Sequence, residues 1–508
     1  MASHSADAGL RVKPGAVVRT GLTYNVSNTG CQLPSGGVMA RFVGRERELR
    51  DLARVLDRVR HPTSDRPGAA VALRGRRRVG KSRLVTEFVA NAQVPAFYFV
   101  ADGARPDVER ARFVRAIAAS GLPLADSLPE TASTSSWHDA LNLLALVVPR
   151  DRPSVVVLDE VSYLSVNDTG FEGALQAVWD TRLSLLPVML ILIGSNQSEM
   201  ERLTSHGRPF YGRSTDREIQ PLHPRAVAEL TGLAPADALD ACLVTGGLPA
   251  LVTSWRPGQS VQDFLADGLS SSLSELVASG ERVLTSEFPA EVMAKDVLRA
   301  IGSDARTFTA IGQAARVEQP VTLSRSLDLL VERRIVAVDE PLSTKASRLK
   351  QYRIADPSMR FWLAFCTDAA DLIDAGRGDV VVARVERGWS SWRGRAIEPV
   401  IRRLLAESAM GGDGPLPPAA VVGSWWDRTR TNEVDIVGAD RSAPASAVTF
   451  VGSIKWRDNT PFGRRDEAAL ARHRDAVPGA GEATPMIAVS RCGGAADETL
   501  VLEPGDLL

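Results

Sequence analysis

The 508-residue sequence predicts an α/β protein of about two to four domains. Short valine- and leucine-rich runs, such as SVVVLDE (154–160) and VMLILIGSN (188–196), are typical of central parallel strands because they are too short for buried helices. Segments such as KSRLVTEFVANA (81–92) carry apolar residues at helical spacing between these runs. Alternating strands and helices predict a parallel sheet that is covered by helices.

Composition places the chain among ordinary globular proteins. Hydrophobic residues make up 44% and charged residues 24%, and the formal net charge of -1 means that nucleic-acid binding needs a local basic patch. No apolar run reaches the roughly 20 residues that span a bilayer, so we expect no membrane partner. The four cysteines form no CxxC pair, which favours a reducing, cytoplasmic location over a zinc site or disulfide framework: Cys31, Cys242, Cys366 and Cys492.

A phosphate-binding motif follows the strand VALRG (71–75) and opens the next helix. GRRRVGKS (75–82) fits the pattern G-x-x-x-x-G-K-S. In such a loop the glycines let backbone N–H groups surround phosphate oxygens, and the helix N-terminus adds positive potential. The lysine neutralises the β- and γ-phosphates, and the serine hydroxyl ligates Mg²⁺. The motif predicts a site for ATP and Mg²⁺ formed by Gly75, Arg76, Arg77, Arg78, Val79, Gly80, Lys81, Ser82 and Arg83.

The basic residues of this stretch carry further information. Only six of the 60 basic residues in the chain are lysines, so Lys81 at the motif position indicates a specific role. For Arg76–Arg78 two interpretations stay open. The three arginines either add charge around the nucleotide or form a solvated rim.

Two adjacent acids complete the predicted site. In VVVLDE, four apolar residues bring Asp159 and Glu160 to the carboxyl end of a central strand, where ligands bind in such sheets. We expect Asp159 to hold Mg²⁺ through water. Glu160 is expected to polarise the attacking water during hydrolysis.

A series of motifs resembles the archaeal-type ATPases, relatives of AAA+ proteins within the signal-transduction ATPases with numerous domains (STAND). The resemblance covers about residues 39–365 and, more loosely, the rest of the chain. It implies a protein that uses ATP as a switch and closes around it, without rapid turnover. The motifs that carry it occur in the order FVGRERELRDL (42–52), GRRRVGKSRLV, VVVLDEVSYL, LILIGSN, FYGR (210–213) and GGLPALV (246–252).

The resemblance also implies further site residues. Ser195 or Asn196, at the end of LILIGSN, would sense the γ-phosphate. Arg213 in FYGR would reach the nucleotide, although a structural salt bridge is an equal alternative for this residue. Gly247 and Pro249 would line the base from the helical lid, and the adenine would be flanked by Phe42, Val43, Gly44 and Arg45.

Five segments are predicted along the chain. Residues 1–38 have the composition of a disordered tail, and Met39 is a candidate natural start. A P-loop ATPase domain is expected at 39–235 and a helical lid at 236–280. Three short helical runs and two alternating strands predict a winged helix at 281–365, and a second α/β unit is expected at 380–508.

The predicted winged helix has two possible roles. LSRSLDLLVERR (323–334) occupies the position of a recognition helix, so the segment either contacts DNA or couples the nucleotide state to the other domains. The basic residues available for phosphate contacts are Arg325, Arg333, Arg334, Lys345, Arg348 and Lys350.

The C-terminal unit resembles the PD-(D/E)xK nuclease fold. That fold uses carboxylates to hold a divalent metal and a lysine to position water. Glu398, Asp435 and Lys455 match its pattern, but Ser453 stands where a second acid belongs, and Glu433 on the same strand is a candidate replacement. A serine hydroxyl is a poor metal ligand, so we expect a weak or inactive site that serves for binding or as a scaffold.

Together these patterns predict an ATPase that acts as a nucleotide-dependent switch. Two alternatives stay open, an ATP-licensed DNA nuclease and a DNA-binding transcriptional regulator. DNA and a second copy of the chain remain candidate partners.

Overall fold

The computed structural model describes residues 42–128, 134–278, 280, 282, 292–367, 369–412 and 414–508. The predicted tail at 1–38 and Met39 lie outside the described residues. Within the described part, helices connect two five-stranded sheets and one two-stranded sheet. The α/β fold class is confirmed.

The first sheet has five parallel strands in the order β2-β3-β4-β1-β5. Four of them coincide with the apolar runs of the sequence. The sequence pattern does not predict β5, because STDRE is polar; this strand lies at the edge of the sheet, where a polar sequence is tolerated. The strands are β1 Ala69–Arg74, β2 Ala96–Val100, β3 Ser154–Asp159, β4 Val188–Gly194 and β5 Ser214–Glu218.

Helices cover both faces of this sheet. Side chains alternate along β1, so that Val71 and Leu73 join one hydrophobic core while Ala70 and Ala72 join the other. The first core continues into the rest of the chain and is shared by all of the predicted segments beyond the tail. The helices of this part are Glu46–Arg60, Lys81–Ala92, Pro106–Ala118, Trp137–Val147, Val161–Asn167, Phe171–Thr181, Gln197–Thr204 and Pro224–Thr231.

The chain then becomes mainly helical. The predicted lid contains Pro235–Thr245, Pro249–Thr253 and Val261–Gly268. Three helices and the antiparallel strands β6 and β7 follow, which is the element order predicted for 281–365, although the winged-helix assignment itself stays a prediction. These elements are Val292–Ile301, Phe308–Ala314, Pro320–Glu332, β6 Val336–Asp339 and β7 Gln351–Ile354, and the helices Pro357–Phe365, Ala369–Asp374 and Gly378–Ala396 come next.

The turn between β6 and β7 packs against the C-terminal unit. The Leu342 N–H donates to the Ser424 carbonyl at 2.8 Å, and the Ser343 carbonyl accepts from Ala445 N–H at 2.9 Å. The Leu342 side chain is buried in the same hydrophobic cluster as Trp425. This turn is therefore an internal contact between two segments of the chain.

The C-terminal sheet has the order β12-β11-β10-β9-β8. β9 pairs antiparallel with both β8 and β10, whereas β11 pairs parallel with both β10 and β12. The short strand β12 is not predicted from the sequence. The elements are helix Glu398–Gly411, β8 Val421–Trp426, β9 Glu433–Ala439, β10 Val448–Lys455, helix Arg464–Arg474, β11 Met486–Ser490 and β12 Thr499–Leu502.

A membrane-spanning helix is not found in the part of the chain that the structure describes, where each helix is too short or too polar to cross a bilayer.

Candidate nucleotide-binding site

The GRRRVGKS loop connects the carboxyl end of β1 to helix Lys81–Ala92, as the sequence predicts. Its backbone turns sharply at Gly75 and Gly80, which have φ angles of 153° and 90°. A Cβ atom at position 75 would lie 2.5 Å from the Ile219 carbonyl oxygen, so only glycine fits there. The loop thus has the compact backbone that an anion-binding turn requires.

Lys81 lies across this loop. Its ammonium group donates to the carbonyls of Gly75 and Arg76 at 2.7 and 3.0 Å. Lys81 is only 6% exposed, so its positive charge is held inside the loop and away from bulk water. This is the position from which a lysine neutralises phosphate oxygens.

Asp159 ends β3 at the same edge of the sheet and is only 3% exposed. One carboxylate oxygen accepts from the Glu160 backbone N–H at 2.8 Å. The other accepts from the Tyr98 hydroxyl at 2.7 Å. Both oxygens are therefore oriented by donors from the protein, although the sequence analysis did not single out Tyr98.

Glu160 adopts a left-handed backbone conformation with a φ of 54°, which is uncommon for a residue with a side chain. Its carboxylate accepts from the Ser195 hydroxyl at 2.8 Å and from the Ser195 N–H at 3.3 Å. β4 lies between β1 and β3, so its end brings Ser195 between the phosphate loop and the acidic pair. Of the two predicted sensor residues, Ser195 contacts Glu160, while Asn196 caps helix Gln197–Thr204.

The predicted adenine-flanking segment, Phe42–Arg45, does lie against the phosphate loop. The Arg45 guanidinium is buried and donates to the Val79 and Gln220 carbonyls at 2.8 and 2.7 Å. Phe42 lies beside the Arg83 guanidinium, 6.0 Å from ring centre to guanidinium carbon. Val43 is buried, and Gly44 has a φ of 78° that allows close packing against Ala226.

The GGLP turn reaches the loop from the predicted lid. Pro249 lies 3.4 Å from the position that a Cβ of Gly80 would take. Gly246 and Gly247 have φ angles of 60° and 67°, and a Cβ on Gly246 would lie 2.7 Å from the Asp356 carboxylate. The turn, the phosphate loop and Asp356 therefore meet at one place.

The three consecutive arginines each contact a different element. Arg77 donates to the Tyr163 hydroxyl at 3.1 Å. Arg78 forms an ion pair with Glu275. Arg76 forms an ion pair with Asp356, which precedes helix Pro357–Phe365 and caps it. Two roles are predicted for these arginines, added charge around the nucleotide or a solvated rim. The contacts favour neither role, because each arginine joins the loop to another part of the chain.

Asp356 depends on this pairing. Burial raises the pKa of the Asp356 carboxyl, but the charge of Arg76 and hydrogen bonds from Ser358 outweigh burial, so its pKa is lowered. The residue is 7% exposed. A buried carboxylate without its cation is strongly unfavourable, so Arg76 stabilises the ionised form.

Arg213 occupies a different place from the one that the resemblance implies. It precedes β5, whose Ser214 pairs with Ala70 near the amino end of β1, whereas the phosphate loop follows the carboxyl end. Its guanidinium forms a bidentate ion pair with Asp180 at 2.9 and 2.7 Å. The structure thus shows Arg213 in a salt bridge, as the alternative interpretation has it, and its contact with a nucleotide stays a prediction.

The residues present fit a magnesium ion. Ser82 lies in the first turn of the helix after the loop and Asp159 ends β3, where the hydroxyl of Tyr98 donates to the Asp159 carboxylate at 2.7 Å. A hydroxyl and a carboxylate beside a phosphate loop are the oxygen ligands that Mg²⁺ prefers.

The C-terminal constellation is only partly assembled as predicted. Asp435 accepts from the Ser453 hydroxyl at 3.0 Å and from the Ile454 N–H at 2.8 Å. Arg402 donates to the Asp435 carbonyl at 2.8 Å and lies 3.4 Å from a Glu398 carboxylate oxygen. Burial raises the pKa of Glu398 to about 7, with Arg402 acting against this shift. The Arg402 guanidinium thus lies beside the Glu398 carboxylate and the Asp435 backbone carbonyl.

Two further residues of that pattern lie at the rim. Glu433, the candidate replacement acid, begins β9 and is exposed, and Lys455 ends β10. Among the described residues, no group of three or more His, Cys, Asp or Glu side chains is placed to hold a metal. The donor set does not fit a divalent metal, since Arg402 and Ser453 already engage the carboxylates.

Several basic residues of the predicted winged helix make internal contacts. Arg334 forms ion pairs with Glu218, at the end of β5, and with Glu201 at 2.8 Å. Lys350 pairs with Glu340 at 2.9 Å. Arg325, Lys345 and Arg348 are exposed. Arg334, which follows the candidate recognition helix, therefore contacts the first sheet through Glu218.

Comparison with known families supports the first domain. Residues 41–188 match the family model described as "AAA ATPase domain", and residues 362–468 match one described as "Archaea bacterial proteins of unknown function". Among curated proteins, none matches the chain. With the parallel sheet and its loop, the first match confirms an ATPase-type domain of the P-loop NTPase fold. The winged-helix and nuclease-like assignments stay predictions.

Several solved structures show partial similarity to this chain. A Walker-type ATPase of Pyrococcus abyssi has 19% identity and a TM-score of 0.43, covering 63% of this chain and 95% of that chain. The Aeropyrum pernix ORC2 protein, in ADPNP–ADP complexes, has 14% identity and a TM-score of 0.42, covering 68% and 95%. A STAND protein of Pyrococcus horikoshii with a tetratricopeptide repeat sensor has 12% identity and a TM-score of 0.30, covering 72% and 50%. These TM-scores are too low to assign the whole chain.

The C-terminal arrangement leads to a prediction on DNA cleavage. The protein, incubated with plasmid DNA and Mg²⁺ or Mn²⁺, is expected to give no cleavage above that of a Lys455→Ala variant, because Arg402 and Ser453 occupy the carboxylates that a metal needs. Agarose gels over a time course measure nicking and linearisation. Cleavage by the wild-type protein that Lys455→Ala abolishes would contradict the inactive site.

Proposed function

We propose that the protein binds ATP with Mg²⁺, hydrolyses it slowly, and uses it as a switch that acts on the lid and the predicted winged helix. The observation that carries this proposal is the double role of one loop. The loop that would surround the triphosphate also supplies Arg76 and Arg78, which bind acids in the two following segments. A change of charge in the loop therefore acts directly on both segments.

Phosphate binding rests on the backbone and on Lys81. The loop N–H groups and the N-terminus of helix Lys81–Ala92 present positive potential to an anion. Lys81 exchanges its contacts with the Gly75 and Arg76 carbonyls for phosphate oxygens. Ser82 and Asp159 would hold Mg²⁺, which supplies further positive charge to the phosphates.

Hydrolysis rests on Glu160. Its carboxylate is held by the hydroxyl and N–H of Ser195 at the end of β4, beside the loop. From that place Glu160 accepts a proton from water, and Ser195 aligns its carboxylate.

Coupling rests on competition for Arg76. The triphosphate brings negative charge beside a guanidinium that already neutralises Asp356. When Arg76 turns to the phosphates, Asp356 is left as a buried carboxylate without its cation, an arrangement of high free energy. The segment that carries Asp356 then moves away from the loop, which constitutes the switch.

A second ionic cluster supports transmission to the C-terminal unit. Asp240, on lid helix Pro235–Thr245, is 2% exposed and accepts from the Trp456 indole at 2.7 Å and from Arg393 at 2.9 Å. Arg491 also donates to Asp240 at 3.1 Å. Burial raises the pKa of Asp240, and the two arginines act against this shift. Movement of the lid therefore changes the contacts of Trp456, the residue that follows Lys455.

Loss of the loop lysine tests ATP binding. Lys81→Ala is expected to weaken ATP binding at least about 100-fold, because the charge that neutralises the phosphates is removed. Isothermal titration calorimetry with ATP and Mg²⁺ measures the affinity. The control Lys345→Ala removes an exposed lysine elsewhere and is expected to leave the affinity unchanged. Equal affinities for wild type and Lys81→Ala would overturn the site.

Loss of the proposed base tests hydrolysis separately. Glu160→Gln is expected to lower the ATPase rate about 100-fold or more while ATP still binds, because an amide cannot accept the proton from water. Phosphate release measures the rate, and calorimetry measures binding. Glu87→Gln, on the helix after the loop, is the matched control with an expected normal rate. Normal hydrolysis by Glu160→Gln would exclude Glu160 as the base.

Removal of the Asp356 charge tests the coupling. In Asp356→Asn the triphosphate no longer competes for Arg76, so ATP is expected to bind about fivefold or more tightly. Hydrogen exchange of 292–365 without nucleotide is expected to resemble that of the ATP-bound wild type.

The control for this experiment is Asp339→Asn, which breaks an ion pair with Arg353 at 2.7 Å, away from the loop. It is expected to keep the wild-type affinity and the wild-type response to ATP. If Asp356→Asn behaves like Asp339→Asn, the Arg76 pair does not transmit the nucleotide state.

A further inference from the structure

Arg334 joins the predicted winged helix to the first sheet. It lies just after helix Pro320–Glu332, where a φ of 56° turns the chain toward β6. Its guanidinium forms ion pairs with Glu218 and, at 2.8 Å, with Glu201. Glu218 is the partner of Arg74 in the pairing of β5 with β1, and Arg74 directly precedes the phosphate loop. The contact therefore lies on the side of the sheet that carries the loop.

The two acids that bind Arg334 belong to different elements. Glu218 ends β5, which is fixed by its pairing with β1. Glu201 lies on helix Gln197–Thr204, which begins just after the two predicted sensor residues that follow β4. Arg334 thus connects the predicted winged helix both to the sheet and to the helix that follows the sensors.

Asn196 holds the start of helix Gln197–Thr204. Its side-chain oxygen accepts from the Glu199 N–H at 3.3 Å and from the Ser198 hydroxyl at 3.0 Å. An asparagine in this position stabilises the first turn of a helix, and the turn loses this support when the side chain binds another group. A phosphate that recruits the Asn196 amide as a donor therefore destabilises the helix at its start.

The same helix carries two side chains toward the Arg334 contact. Gln197 and Glu201 are four residues apart, so they lie on one face of the helix. Gln197 donates to Glu218 at 3.3 Å, and Glu201 pairs with Arg334. A shift in the first turn of the helix consequently alters the contacts of both acids that bind Arg334.

The end of β4 is the part of the proposed site that ATP and ADP occupy differently. The Ser195 hydroxyl donates to Glu160, the residue proposed to polarise the water that attacks the γ-phosphate. The γ-phosphate of a bound ATP therefore lies close to Ser195 and to the adjacent Asn196. ADP lacks this phosphate and is expected to leave the Asn196 cap in place.

We infer that the ion pairs of Arg334 distinguish ATP from ADP. They persist with ADP and break when ATP binds, which frees the predicted winged helix from the sheet. This inference rests on the proposed ATP site and adds a second contact to that of Arg76 with Asp356. The side chains of Arg334, Glu201 and Glu218 are 42%, 37% and 20% exposed. Ion pairs that face solvent are weak, so the loss of one helix cap is sufficient to shift them.

Nucleotide affinity tests this inference in the full-length protein. Calorimetry measures the binding of a non-hydrolysable ATP analogue and of ADP, each with Mg²⁺. Arg334→Gln is expected to bind the analogue about threefold or more tightly, because the ion pairs no longer have to be broken. Its affinity for ADP is expected to stay unchanged. Arg334→Lys keeps the positive charge and is expected to resemble wild type with both nucleotides.

Arg325→Gln is the matched control, since Arg325 is an exposed arginine on the helix that precedes Arg334. It is expected to match wild type with both nucleotides. An unchanged analogue affinity in Arg334→Gln overturns the inference, as does an equal gain for ADP, which would show that the contact does not distinguish the nucleotides. If wild type binds neither nucleotide, the proposed function itself fails, a result distinct from both.

Hydrogen exchange reports the release of the helix directly. In wild type, the amides of residues 320–335 are expected to exchange faster with the analogue than with ADP. In Arg334→Gln they are expected to exchange at the faster rate with either nucleotide. Equal exchange in wild type with the analogue and with ADP would contradict the release.

A double-mutant cycle tests whether Arg334 acts through the helix after the sensors. Glu201→Gln is expected to tighten binding of the analogue as Arg334→Gln does, and the double variant is expected to gain no more than either single variant. Additive gains would show that the two residues act separately, which overturns the link between Glu201 and Arg334 proposed here.

Discussion

The ion pair between Arg76 and Asp356 joins the phosphate loop to a residue 280 positions further along the chain. Asp356 is buried and also caps helix Pro357–Phe365. A buried carboxylate requires a cation, and the loop supplies it. The loop that we propose binds a triphosphate therefore also supplies the cation for a buried carboxylate in a later segment of the chain.

The strand order gives the site its second constraint. β4 lies between β1 and β3, so Ser195 comes to rest between the loop and the acidic pair. Glu160 is held there by two hydrogen bonds from Ser195. Parallel strands end on the same side of the sheet, so the sheet alone brings together the groups that we propose bind phosphate, hold a metal and polarise water. Arg213 lies near the amino end of β1, away from the loop, where it forms an ion pair with Asp180.

The C-terminal unit holds a cluster of charged side chains that includes Glu398, Arg402 and Asp435. Ser453 donates to the Asp435 carboxylate, and Arg402 approaches the Asp435 backbone carbonyl and the Glu398 carboxylate. A guanidinium beside the Glu398 carboxylate supplies positive charge but offers no open coordination position of the kind that a catalytic metal has. The cluster links helix Glu398–Gly411 to β9, and the neighbouring Asp240 cluster links the same unit to the lid. Both features suit a unit that is held in place by the ATPase part of the chain.

The sequence by itself determined the local features of this protein. GRRRVGKS required a strand, a turn with two glycines and a helix, and VVVLDE required a buried strand that ends in two acids, because these patterns are set by neighbours along the chain. Only the tertiary structure decided what the arginines, Tyr98, Asp356 and Arg402 contact, since those partners come from distant segments. Strand order and contacts between distant segments leave no periodic signal in the sequence. Ser195 contacts Glu160 because β4 lies next to β3 in the sheet. Arg213 lies at the amino end of β1 because it directly precedes the parallel neighbour β5.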